Sequence, residues 1–129
     1  MERSTFDILI VGPQGPFREI FDHLETQDNY RIHYATDCQN AFDYLNEHAP
    51  GAIILTIGMV EQNFTDEMEW LDIMKKDAPV LVLAPSEAPH LYKTVMQRGA
   101  FDFFTAYTPP DEIDRELSNA ISRQPCQIA

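Results

Sequence analysis

The chain has 129 residues, the size of one ordinary domain, and sets 9 Lys and Arg against 21 Asp and Glu for a formal net charge of -12. Such a surplus of carboxylates repels phosphate backbones and anionic lipid, so direct binding to nucleic acid or membrane is not expected. Two cysteines far apart, Cys38 and Cys126, give neither a disulfide framework nor metal-ligand spacing. With no signal-like N-terminus and no apolar run near the roughly 20 residues that span a bilayer, a cytoplasmic location is expected.

In chain order, Phe6 to Val11 is an apolar strand ended by Gly12-Pro13-Gln14-Gly15-Pro16. Phe17, Ile20, Phe21 and Leu24 then recur at helical spacing, with Pro16 near the first helical position. Tyr30 to Ala35 alternates apolar with polar residues and suits a sheet edge, and Thr36 or Asp37 can cap a helix with Ala41, Phe42 and Leu45 on its core face. The turn Ala49-Pro50-Gly51 feeds Ala52-Ile-Ile-Leu55, continued by Ile57, a run apolar on both faces that places a strand mid-sheet. A loop over 58–64 leads to a helix with Met68, Leu71 and Met74 on one side. Pro79 opens a strand over Val80 to Ala84, and a helix from about Glu87 to Arg98 turns Leu91, Val95 and Tyr92 inward before Gly99 caps it. Phe101 to Ala106 is a fifth strand, and Thr108-Pro109-Pro110-Asp111 starts a last helix with Ile113, Leu117 and Ile121 inward. Five strands each followed by a helix imply an α/β domain with a parallel sheet between helices and right-handed crossovers. The domain is expected over residues 1–123, with 124–129 a tail or the start of a linker.

Ile8-Leu-Ile-Val11, the apolar run at 52–59, Pro79-Val-Leu-Val-Leu83 and Gly99-Ala-Phe-Asp-Phe-Phe-Thr105 together resemble the receiver domain of two-component response regulators. The resemblance covers about Phe6 to Arg123 and implies a flavodoxin-like three-layer α/β/α fold with strand order 2-1-3-4-5. It implies a role in phosphorelay signal transduction and a Mg²⁺-dependent phosphorylation site at the carboxyl ends of the strands. Every matching position is substituted. The acidic pair after the first strand is Gly12 and Pro13, and the phosphoacceptor aspartate is Thr56. The hydroxyl residue ending the fourth strand is Ala84, the Lys ending the fifth is Ala106, and the proline after that Lys is Tyr107. Phosphoryl transfer depends on positioning and charge stabilisation, so losing metal ligands, nucleophile and Lys together removes its means. Neither an enzyme nor a cofactor is expected. The Ala106-Tyr107 bond, which has no proline to ease a cis form, is expected to be trans, with the following loop off the family's path.

Glu61 and Asp66 are the carboxylates from which a metal site would have to be rebuilt, although solvated charge is the plainer role. The Gly12–Pro16 loop is placed like a phosphate cradle, but its prolines lack the N–H groups to serve as one, so a rigid turn is expected. His23, His33, His48 and His90 have no partner spacing, and Trp70 reads as packing. What remains is a surface. By analogy with the family, Tyr92, Met96, Phe103 and Tyr107, with His90 and Lys93, are expected to bind a protein partner or a second copy through the fourth helix, fifth strand and fifth helix. Packing on the sheet is the competing role for Phe103 and Phe104, which alternate between its faces. An alternative keeps a switch, worked by unconventional modification or by a small ligand in the emptied pocket.

Overall fold

The computed structural model describes residues 6–27, 29–57, 65–85 and 89–122. The expectations placed on Glu61, Cys126, the 58–64 loop, the helix start at Glu87 and the 124–129 tail lie outside these residues, as do those on the side chains of Cys38 and Asp66.

Five strands, β1 (Phe6–Val11), β2 (Tyr30–Ala35), β3 (Ala52–Thr56), β4 (Val80–Ala84) and β5 (Asp102–Thr105), form one parallel sheet in the order β2-β1-β3-β4-β5. The helices are α1 (Arg18–Glu25, preceded by a 3₁₀ turn over Gly15–Phe17), α2 (Cys38–Glu47), α3 (Thr65–Met74), α4 (Pro89–Gln97) and α5 (Pro110–Ser122). The fold class and strand order are those expected from the sequence. All residues of β3 and β4 are buried, as their unbroken apolar runs require of central strands covered on both sides.

Alternation along the strands divides the interior in two. Leu9, Val11, Ile53, Leu55, Val80 and Val82 pack against Ala41, Met68, Leu71, Met74, Leu91 and Val95 of α2, α3 and α4. Ile8, Ile10, Ile54, Leu81, Leu83 and Phe104 pack against Phe17, Ile20, Phe21, Leu24, Ile113, Leu117 and Ala120 beside α1 and α5. Phe103 and Phe104 fall on opposite sides, as a period of two dictates. Asp37 caps α2, its carboxylate accepting from Asn40 N–H at 2.9 Å, and Gly99 follows α4 with φ +100°.

Three boundary expectations are corrected. β5 is shorter than 101–106, because Ala106 already belongs to the turn that Thr105 and Thr108 close. Tyr92 does not turn inward. It follows buried Leu91 by about 100° around the helix and is 50% exposed. On α5 the third fully buried position is Ala120 rather than Ile121, since i+7 lies nearer the stripe begun by Ile113 than i+8 does. Peptide bonds among the described residues are all trans, Ala106-Tyr107 included.

Candidate functional site

The carboxyl ends of β1, β3, β4 and β5 bring Gly12, Pro13, Thr56, Ala84 and Ala106 to one end of the sheet. Val11 pairs with Leu55, Thr56 with Leu83, and Ala84 with Thr105. The substituted positions are therefore neighbours in space as well as in the resemblance.

Their chemistry is closed. Thr56 is 1% exposed and its hydroxyl donates to Val11 O at 3.2 Å, so it is spent on the β1–β3 junction. Gly12 adopts φ +112°, and its N–H donates to Ala35 O at 3.0 Å. A Cβ on Gly12 would lie 2.7 Å from Thr56 O and closer still to Thr56 Oγ1. The bare glycine and the threonine thus interlock where the family would seat two carboxylates. Ala84 is fully buried and Ala106 half-buried, and neither carries a hydroxyl or a charge.

The Mg²⁺ ion that the fold family implies does not fit these residues. A hard divalent cation is held by carboxylate oxygens, and Gly12, Pro13 and Thr56 offer none, while the one hydroxyl is buried and already bonded. Among the described residues no cluster of His, Cys, Asp and Glu is arranged to hold a metal.

No protein-family model matches the chain. Response regulator Rre1 of Synechocystis sp. is 25% identical over 127 residues, which cover 94% of this chain and 54% of that protein. The chain thus spans about half the length of this curated relative. The signal receiver domain of the putative response regulator NarL from Mycobacterium tuberculosis superposes with a TM-score of 0.74 at 15% identity, over 93% of this chain and 98% of that one. A response regulator from Thermotoga maritima superposes with a TM-score of 0.73 at 20% identity, over 92% and 98%. The fold is that of a response-regulator receiver domain.

On this receiver fold the second group of expected residues also comes together. Tyr92 of α4 meets Phe103 of β5 edge-to-face, with ring centroids 5.7 Å apart, and Met96 packs half-buried on the same side of the sheet. Tyr107, just past β5, is 82% exposed. Beside them Asp102 is half-buried. Its carboxyl is pushed above the ordinary 3.8 chiefly by burial, with the charges of Glu116 and Glu112 adding to the effect and a hydrogen bond from Phe103 N–H opposing it. The α4 end of this face is clamped to α3. Arg98 donates to Asp72 at 2.6 Å and to Met68 O at 3.4 Å, while Lys75 Nζ donates to Arg98 O and lies over Gly99.

One cluster went unseen in the sequence. His33 and His48, expected to be unrelated, stack around Tyr44, with centroids at 4.8 Å from His33 and 4.5 Å from His48. His33 also sits 3.6 Å from Asp7. The parallel pairing of β1 with β2 and the return of α2 create this juxtaposition, which no local spacing announces. Tyr44 OH is buried without a partner among the described residues, and burial foremost raises its pKa, with Asp7 adding to the rise and Arg31 opposing it.

Among the described residues no helix is long and apolar enough to cross a membrane.

Proposed function

We propose that this chain is a receiver-type module of two-component, phosphorelay-style signalling that does not itself accept a phosphoryl group and is not an enzyme. It acts by presenting one fixed surface, formed by α4, β5 and α5, to a protein partner. The observation that carries the reading is the Gly12–Thr56 interlock: a glycine that tolerates no Cβ and a buried, bonded hydroxyl occupy the ground where metal and phosphoacceptor would stand. The curated relative's description as a response regulator supplies the signalling context.

The surface follows from the same chemistry. Aromatic and Met side chains favour interface cores, and Tyr92, Met96, Phe103 and Tyr107 supply them on a strongly acidic chain. The Arg98 and Lys75 clamps hold α4 against α3, which suits a face that is always displayed. The alternative, a switch worked through Thr56 or through a ligand in an emptied pocket, is disfavoured by the burial of Thr56 and Ala84.

Amide NMR spectra of the ¹⁵N-labelled chain test the fixed state. Adding Mg²⁺ and then beryllofluoride is expected to leave Gly12, Thr56 and the α4–β5–α5 amides unmoved. Saturable shifts at Gly12, Thr56 and Ala84 on adding either one would overturn the reading. Tyr92→Asp and Tyr107→Asp test the surface. Each is expected to weaken a partner recovered by photo-crosslinking at position 107 by about tenfold or more, as burying a charge in an interface core does. The loss should be the same with and without Mg²⁺ and a phosphodonor. Unchanged affinity in both folded variants would remove this face from the account.

A further inference from the structure

The two free edges of the sheet are finished differently. On β5, Ala106 N–H donates inward to Ala84 O at 3.0 Å, so alternation turns the N–H groups of Phe103 and Thr105 away from β4. Both are covered by side chains. Phe103 N–H donates to the Asp102 carboxylate at 2.8 Å, and Thr105 N–H to Thr108 Oγ1 at 3.1 Å. Tyr107 N–H in turn donates to Thr105 Oγ1. The outward N–H groups of this edge are thus taken up before a further strand could use them, one of the ways in which sheet edges are protected.

β2 has no such cover. Phe6 N–H to Asn29 O at 2.9 Å and Gly12 N–H to Ala35 O at 3.0 Å aim the odd-numbered backbone groups at β1. The backbone N–H and C=O groups of Tyr30, Ile32 and Tyr34 therefore point away from β1. Tyr30 N–H donates to Gln27 O, but among the described residues no donor or acceptor meets the outward backbone of Ile32 or Tyr34. The flanks carry charge of both signs, with Arg18 and Arg31 set among Asp7, Asp22 and Glu25. Asp7 lies beside Arg31 at 3.4 Å and His33 at 3.6 Å, and Glu25 accepts from Tyr34 OH.

We propose that the β2 edge is a self-association surface on which a second copy pairs antiparallel through its own β2, about a twofold axis at His33. In that register Ile32 of one copy lies opposite Tyr34 of the other, and each such pair exchanges both its backbone bonds. His33 faces His33 of the second copy, and exposed Arg31 comes diagonally toward the exposed Asp37 of the other chain, an opposite-charge approach repeated by the symmetry. The edge thus complements itself without a third component. This surface lies at the edge of the sheet opposite β5, with Tyr30 at its start bonded to Asp114 of α5, and needs neither metal nor modification.

Sedimentation of the full chain tests it, with circular dichroism to verify folding. The wild type is expected to dimerise reversibly. His33→Lys and His33→Glu each set like charges face to face and are expected to weaken the dimer about tenfold or more, while an equimolar mixture of the two restores a heterodimer. Ile32→Pro removes an N–H that has no partner in the single chain, so it should stay folded and become monomeric. Tyr107→Asp should remain dimeric. A wild type that is monomeric at every concentration, a dimer that survives both His33 variants, or a dimer lost only in Tyr107→Asp overturns the proposal, and none of these outcomes bears on phosphoryl acceptance.

Discussion

Gly12→Asp, which would place a carboxylate where the sequence resemblance implies one, is expected to destabilise the domain by about 2–6 kcal/mol, the sum of a strained positive φ and an overpacked side chain. The glycine holds φ +112°, and a Cβ there would lie within 2.7 Å of Thr56 O. Neither obstacle can relax cheaply, because Thr56 is the paired, buried end of β3 and Val11 is the paired end of β1. Urea unfolding measures the effect as a lower midpoint at unchanged slope. Gly15→Ala is the control. Gly15 has nothing within 4 Å of its Cβ position, and the change should stay within about 0.5 kcal/mol. A loss below about 1 kcal/mol for Gly12→Asp would mean that β1 and β3 part more easily than their packing implies, and that this end of the sheet can admit a carboxylate.

Thr56→Asp is expected to cost about 3–5 kcal/mol at neutral pH, the penalty of a buried charge without a partner. Thr56 is 1% exposed, its hydroxyl already meets a carbonyl, and the matching positions Ala84 and Ala106 offer no cation. The sign with pH follows from burial, which raises the carboxyl's folded pKa above its unfolded value. The destabilisation is then fully present at pH values above the raised pKa and relieved as pH falls through it. Thr56→Val, which keeps the shape and removes the hydrogen bond, should cost only about 0.5–1.5 kcal/mol. Comparable losses in the two variants at neutral pH, or no recovery of Thr56→Asp in mild acid, would show that the pocket is wet and able to solvate a carboxylate.

Much of the fold was legible because it rests on patterns that tertiary structure does not override. The uninterrupted runs Ala52–Leu55 and Val80–Ala84 could only be central strands, and the spacing of Ile20, Phe21 and Leu24 could only be one face of a helix. Element ends were less legible. Whether Ile121 or Ala120 completes the buried stripe of α5, and which way Tyr92 points, depends on tens of degrees of helix rotation that apolarity alone does not resolve. The candidate site shows the same division. That Gly12, Pro13, Thr56, Ala84 and Ala106 share one end of the sheet follows from strand order. That Gly12 has positive φ and interlocks with Thr56 across a residue separation of more than forty is a fact of packing, written in no local motif. The side-chain cover on β5 and its absence on β2 were likewise invisible, because strand polarity decides which backbone groups face outward.

The central claim is that this receiver fold has no means to accept a phosphoryl group, and intact-mass spectrometry of the chain after incubation with Mg²⁺ and acetyl phosphate tests it most directly. The account predicts a mass unchanged from the untreated protein, for wild type and for Thr56→Ala alike. A stoichiometric gain of one phosphoryl group by the wild type, lost in Thr56→Ala, would contradict it.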